Sequence, residues 1–336
     1  VLMKITRQVL HLFLFIGLAT FSIGATGHSE RSDETRGSTG PDRTDITIAS
    51  FRGPTGVGVA PAIVNQPIIG DHARITVELV PEPSVMVGRL AAGEVAVGML
   101  PSNVVAQLYN RDIPVQIAAV TLWGVLYVVG TDETIEEWTD LRGRSVQAIA
   151  RGAGPDIMLR HILSRNRVDP DSDVELDYRY GHLELAQLLI AGEVETAVLP
   201  EPFVTQVLSR RDDVSVRLDF QEAWQELYDT RYPQTVVVVR RDIAEERPEA
   251  IAEALAVIRS GWETVVADPE TAGNLVDQTD LGLPGTVVTA ALPRFNAEYV
   301  NAADAADRLD EYFRVLFEAE PRSIGGALPE DDIYLR

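Results

Sequence analysis

Short apolar runs rich in β-forming residues recur along the chain, separated by longer stretches whose apolar positions repeat at helical spacing. The runs at 46–51, 75–80, 95–100, 115–120, 125–130, 145–150, 174–178 and 196–199 read as strands, and 84–92, 103–110 and 155–166 read as helices between them. Alternation of this kind predicts parallel sheets covered by helices, the α/β class. The N-terminal part departs from that rhythm. Lys4 and Arg7 precede an apolar run at 9–21, and the small residues Gly24, Ala25, Thr26 and Gly27 follow it. This is the layout of a signal peptide over residues 1–27, because the run is shorter than the roughly 18–20 residues that span a membrane. Residues 28–44 carry almost no apolar side chain and read as a disordered linker, which puts the start of the folded chain at Asp45.

An internal repeat organises the rest. Ala92-Gly93-Glu94-Val95, followed by Leu100-Pro101, returns 99 residues later as Ala191-Gly192-Glu193-Val194, followed by Leu199-Pro200. The same offset maps Ala49–Gly53 onto Ala148–Gly152, pairing Arg52 with Arg151 and Gly53 with Gly152. Strand-turn-helix units resemble one another in any α/β protein, but two separate segments in one ungapped register argue for a duplicated lobe. The expected division is lobe one at 45–126 and 236–336, with lobe two, 127–235, inserted between. The hinge crossings are expected near 126–130 and 235–239.

Both repeated turns lead from a strand into a helix, where open α/β sheets bind ligands. In lobe one the turn is Phe51-Arg52-Gly53-Pro54-Thr55-Gly56, and in lobe two it is Arg151-Gly152-Ala153-Gly154. Glycine there lets backbone approach a ligand, and the helix start offers free N–H groups. A second pair of turns carries Pro101 with Ser102 and Asn103, and Pro200 with Glu201 and Phe203; Ser102 or Asn103 suits a helix cap. Arg52 and Arg151 suit a carboxylate, sulfonate or phosphate, with a salt bridge as the competing reading for each. The aromatics Phe51, Trp123, Tyr180, Phe203 and Tyr232 lie near strand ends and could wall a planar group or fill the core, and His182 falls at a loop beside them. Together these residues suggest a small, anionic or planar ligand in an interlobe cleft.

Composition narrows the function classes. A formal net charge of -22 excludes phosphate-backbone recognition as a main role, so no nucleic-acid partner is expected. Without any cysteine there is no disulfide, thiolate metal site or lipid-bearing cysteine, and a free exported protein is expected. Of the five histidines, His11 lies in the signal, His28 in the linker, and His72, His161 and His182 are scattered without metal-ligand spacing. No G-x-S-x-G elbow, Walker loop or H-E-x-x-H is present, so neither catalysis, cofactor nor metal is expected.

The stretches Phe51–Gly56, Trp123-Gly124-Val125-Leu126-Tyr127, Asp140-Leu141-Arg142-Gly143-Arg144, Leu199-Pro200-Glu201-Pro202-Phe203 and Gly325-Gly326-Ala327-Leu328-Pro329 resemble periplasmic binding proteins of the nitrate/sulfonate/taurine (NitT/TauT-like) importer class. The resemblance covers nearly all of the chain after the signal. It implies a type II periplasmic-binding-protein (Venus-flytrap) fold, two pseudo-symmetric α/β lobes on a two-crossing hinge. It also implies a monomer in the periplasm that hands a small-molecule ligand to an ABC permease with its cytoplasmic ATPase and meets the membrane only there. Two alternatives share the fold: an enzyme of the pyrimidine-precursor or menaquinone-pathway type, and a sensory ligand clamp.

Overall fold

The computed structural model describes residues 43–336; the expected signal peptide and the linker up to residue 42 lie outside the described residues. Thr44 is already in the first strand, its N–H bonded to the His72 carbonyl at 2.8 Å, so that strand begins one residue before Asp45.

The first part of the chain runs β1 (Thr44–Phe51), α1 (Pro54–Val57), α2 (Ala60–Asn65), β2 (Ile68–Ile69), β3 (Ala73–Val80), α3 (Pro83–Ala92), β4 (Val97–Pro101), α4 (Ser102–Tyr109) and β5 (Val115–Trp123). The middle part holds β6 (Leu126–Gly130), β7 (Ser145–Gln147), α5 (Gly154–Arg165), β8 (Glu175–Asp177), α6 (His182–Ala191), β9 (Thr196–Pro200), α7 (Phe203–Leu208), β10 (Ser215–Asp219) and α8 (Phe220–Tyr228). The chain then returns through β11 (Pro233–Arg240), α9 (Arg241–Glu246), α10 (Pro248–Ala267), α11 (Pro269–Val276), α12 (Gly285–Ala291), β12 (Ala297–Asn301) and α13 (Ala302–Ala319). Among the described residues no helix is long and apolar enough to cross a membrane.

The strands form two sheets, ordered β12-β5-β11-β4-β1-β3-β2 and β10-β6-β9-β7-β8. Set side by side, β3-β1-β4-β11-β5 and β8-β7-β9-β6-β10 have one topology. In each, three strands are parallel, and the next strand, β11 or β6, is antiparallel to its parallel neighbour. That antiparallel strand is the one that has just arrived from the other sheet. The repeat seen in the sequence is therefore structural: α3 and α6 are offset by 99 residues, as are β4 and β9. Strands buried on both faces explain the continuous apolar runs. In β11, Val236 and Val238 enter one core with α3, α4, α13 and the second sheet, while Val237 and Val239 enter another with α10 and α12.

The crossings fall earlier than expected. Leu126 already pairs with Pro200 in the second sheet and Pro233 with Trp123 in the first, so the chain changes sheets at 124–125 and at 229–232, before β6 and β11 begin. Both strands are valine-rich, and strand propensity alone does not say which sheet a strand joins.

An arginine caps the equivalent helix in each half. Arg240 Nη1 donates to the Leu90 carbonyl of α3 at 2.6 Å, and Arg211 Nη1 to the Leu189 carbonyl of α6 at 2.8 Å. Each guanidinium is held by the aspartate two residues on, Asp242 or Asp213. These bonds satisfy carbonyls that a helix end leaves open. Arg240 is the more enclosed, its side chain 10% exposed against 21% for Arg211. Arg240→Ala is expected to cost about 1–3 kcal/mol in urea unfolding and Arg211→Ala less; an equal or reversed order would contradict the capping account.

Candidate functional site

The two crossings fix which edges of the sheets face each other. Thr235 at the start of β11 pairs with Pro101 at the end of β4, and Leu126 at the start of β6 pairs with Pro200 at the end of β9. The chain therefore changes sheets at the carboxyl ends of the parallel strands in both. The loops that leave β1, β4, β7 and β9 gather there, where α/β sheets bind ligands.

The loops after β1 and β7 each supply an open glycine position. Gly53 sits at φ 86° and Gly152 at φ 76°, the left-handed region that favours glycine, and a Cβ on either would meet nothing within 4 Å. Around them the two loops differ. Arg52 is exposed and ion-paired with Asp280, so its charge is already compensated. Arg151 is also exposed, lies 5.4 Å from the Tyr178 ring centre, and has no carboxylate partner among the described residues. Beside it the buried Asp156 carboxylate accepts from the Gly152 N–H at 2.7 Å, Arg160 Nε at 2.9 Å and the Tyr178 hydroxyl at 2.5 Å. Burial, with that carboxylate, pushes the Tyr178 phenol up, so it stays a donor. Pro54 opens α1, and Thr55 is half-buried behind it. Ala153 is exposed at the N-cap of α5, and Gly154 lies 3.9 Å, measured from its missing Cβ, from the Tyr312 hydroxyl. Phe51, Tyr180 and Phe203 are half-buried; His182, at the start of α6, packs its ring 4.7 Å from Phe203, and burial lowers its pKa.

Other expected ligand residues are committed to internal partners. Gly56 is a packing glycine, since a Cβ there would sit 2.2 Å from Leu281 Cδ2. Ser102 is buried and makes no cap; its hydroxyl donates to the Pro233 carbonyl at 2.8 Å and ties α4 to the returning strand. Asn103 Nδ2 donates to the Ser323 carbonyl at 3.3 Å. Trp123 is fully buried, flanked by Arg231 and Arg308 with each guanidinium carbon less than 5 Å from its ring centre. Tyr232, 1% exposed, packs over Gly124 against Trp224 and Tyr312. Glu201, 2% exposed, bonds Arg294 and Thr205, and its pKa is raised by burial against the opposing pull of Arg294. These side chains sit near the crossings, as their places at strand ends implied, and their polar groups and rings are taken up by internal partners.

The residues missed are those that hold the loops. Asp156 had a local signal, since an acidic residue in a first turn suits a helix start. Asp280, Arg294 and Asn296 had none, being distant in sequence from everything they touch.

The family model described as NMT1/THI5 like matches residues 72–272. Among solved structures, an ABC transporter from Parabacteroides distasonis is 26% identical with a TM-score of 0.74, over 87% of this chain and 99% of that one. The periplasmic aliphatic sulphonate binding protein SsuA from Escherichia coli is 18% identical with a TM-score of 0.66, over 84% of this chain and 90% of that one. The alkanesulfonate-binding protein SsuA from Xanthomonas axonopodis pv. citri, bound to MOPS, is 14% identical with a TM-score of 0.60, over 85% and 94%. No curated protein matches the chain. The fold is that of these periplasmic binding proteins.

Two outcomes follow from the loop chemistry. Gly53→Ala and Gly152→Ala place a methyl group in open space, so each should cost on the order of 1–2 kcal/mol of backbone strain in chemical denaturation and leave the fold intact; loss of folding would show that these loops are packed. His161, its Nε2 2.6 Å from the Tyr228 hydroxyl, is lowered by burial from 6.5 to about 4. Its neutral form stabilises the protein fully above pH 6.5, and that contribution is lost as pH falls towards about 4. Asp219, raised to about 6 by burial, contributes the opposite slope, so the comparison is with His161→Gln. Wild type should lose stability relative to that variant between those pH values, and parallel unfolding curves would contradict the assignment.

Proposed function

The chain belongs to the NMT1/THI5-like family, and from that premise we propose that it is the extracytoplasmic solute-binding component of an ABC importer. It captures one small molecule between its two lobes, catalyses nothing, and delivers its cargo as a periplasmic monomer to a permease with its cytoplasmic ATPase. The observation that carries this reading is the pair of equivalent loops at the carboxyl edges of the two sheets, each with a positive-φ glycine around which a side chain would meet open space.

Within that cleft the two lobes contribute unequally. Arg151 offers an uncompensated guanidinium on a tyrosine face, while Arg52 is already matched by Asp280. A guanidinium free to donate from two nitrogens suits a carboxylate, a sulfonate or another oxyanion. Structural neighbours named for sulfonate and alkanesulfonate binding support that ligand class. Tyr178, Tyr180 and Phe203 would take the remainder of the molecule.

Calorimetric titration of ligand-free protein with alkanesulfonates, nitrate and small carboxylates tests the proposal. One member of the panel should bind at one molecule per chain, and Arg151→Ala should weaken it about tenfold or more, a loss of about 1.4 kcal/mol. Arg52→Ala should change affinity much less. Equal losses from both arginines, or no binding across the panel, would contradict this picture of the cleft.

A further inference from the structure

Beside the two covalent crossings runs a third, non-covalent connection, built from the segment between α12 and β12. The Arg294 carbonyl accepts from the Tyr127 hydroxyl of β6 at 2.7 Å. Asn296, at φ 48°, donates its Nδ2 to the Gly124 carbonyl at 2.6 Å, while its own carbonyl accepts from the Trp123 N–H at 3.2 Å and from Arg231 Nη2 at 2.8 Å. The Glu298 carboxylate pairs with Arg231, and its carbonyl accepts from Trp123 Nε1 at 3.2 Å. Three alternate residues, Arg294, Asn296 and Glu298, thus grip the first crossing, the second crossing and a strand of the second sheet.

At the head of this strap lies the ion pair that links the two halves. Arg294 Nε meets Glu201 Oε1, and Arg294 Nη2 donates to Thr205 Oγ1 at 2.6 Å. Glu201 Oε2 accepts from the Thr205 N–H at 3.0 Å, so the carboxylate is anchored to α7 as well as to Arg294. Among the described residues it is the one ion pair between 292–336 and the elements from β6 to α8, Leu126–Tyr228; the Arg231–Glu298 pair joins the strap to the second crossing instead. The Glu201 side chain has no exposed surface, so truncating Arg294 with α7 in place leaves a buried carboxylate without its cation, and separating α7 from α12 breaks the pair.

We propose that Arg294 is the positioning residue of an interlobe latch: through Glu201 it holds α7 against the C-terminal strap and sets the angle from which the lobes open. The inference rests on the clamp reading above, for which lobe motion has a purpose. A hinge rotation that moves α7 away from α12 must break this pair, so its free energy adds directly to the balance between the two lobe arrangements. The ligand need not touch either residue for them to tune its affinity, because affinity scales with the population of the competent arrangement.

The cysteine-free chain makes the test direct. Cysteines placed at the exposed Val85 of α3 and Leu183 of α6 carry a dye pair for single-molecule energy transfer on the full chain without ligand. Glu201→Gln and Arg294→Gln should each shift or broaden the interlobe distance distribution, the double variant should shift it no further than the larger single one, and Arg294→Lys should restore it in part. If a single variant fails to fold, the double Glu201→Gln/Arg294→Met, which leaves no orphan charge, is read instead. An unchanged distribution in the folded variants, or additive shifts, would overturn the latch. Because no ligand enters the measurement, that failure leaves the solute-binding reading to stand or fall on the titration.

Discussion

Everything in this molecule depends on where the chain passes between its two sheets. Because β6 begins opposite the end of β9 and β11 begins opposite the end of β4, both passages lie at the carboxyl ends of parallel strands. Helix starts and turn loops from both halves then gather at the passages, the place where open α/β sheets bind ligands. Tight packing guards the passages: a Cβ on Gly124 would lie 2.2 Å from the Tyr232 ring. The strap through Asn296 and Arg231 covers them from the other side.

The duplicated architecture was legible because it is local. Helix ends at Gly93 and Gly192, the parallel strands and the turns at Gly53 and Gly152 all repeat in one register, and the helix ends and turns depend on residues within a few positions of themselves. Valine-rich β11 was legible as a strand, and all but its first residues fell in the expected lobe one; its place between β4 and β5 was not legible, because those partners lie more than a hundred residues away.

The turn glycines were legible from their backbone needs, while the partners of the side chains around them were not. A glycine between a strand and a helix advertises an unusual φ, and Gly53 and Gly152 have one. The same reasoning misread Gly56, whose missing side chain makes room for Leu281, a residue of a distant loop. Sequence also treated Arg52 and Arg151 as equals; Asp280, reached only through the fold, separates them. Trp123, Glu201 and Tyr232 lie near strand ends as expected, but their partners come from 224, 294–298 and 308–312. Where function depends on which charge is already matched, pairing across long separations decides it, and composition carries no trace of that.

The central claim is that this chain is a clamp for one small solute. Native mass spectrometry of the protein purified from its own cells, followed by denaturation to release whatever it holds, tests that most directly. The account predicts a single small molecule per chain, released on unfolding and taken up again on refolding. A chain that emerges empty, and stays empty after exposure to a small-molecule extract of the same cells, would contradict it.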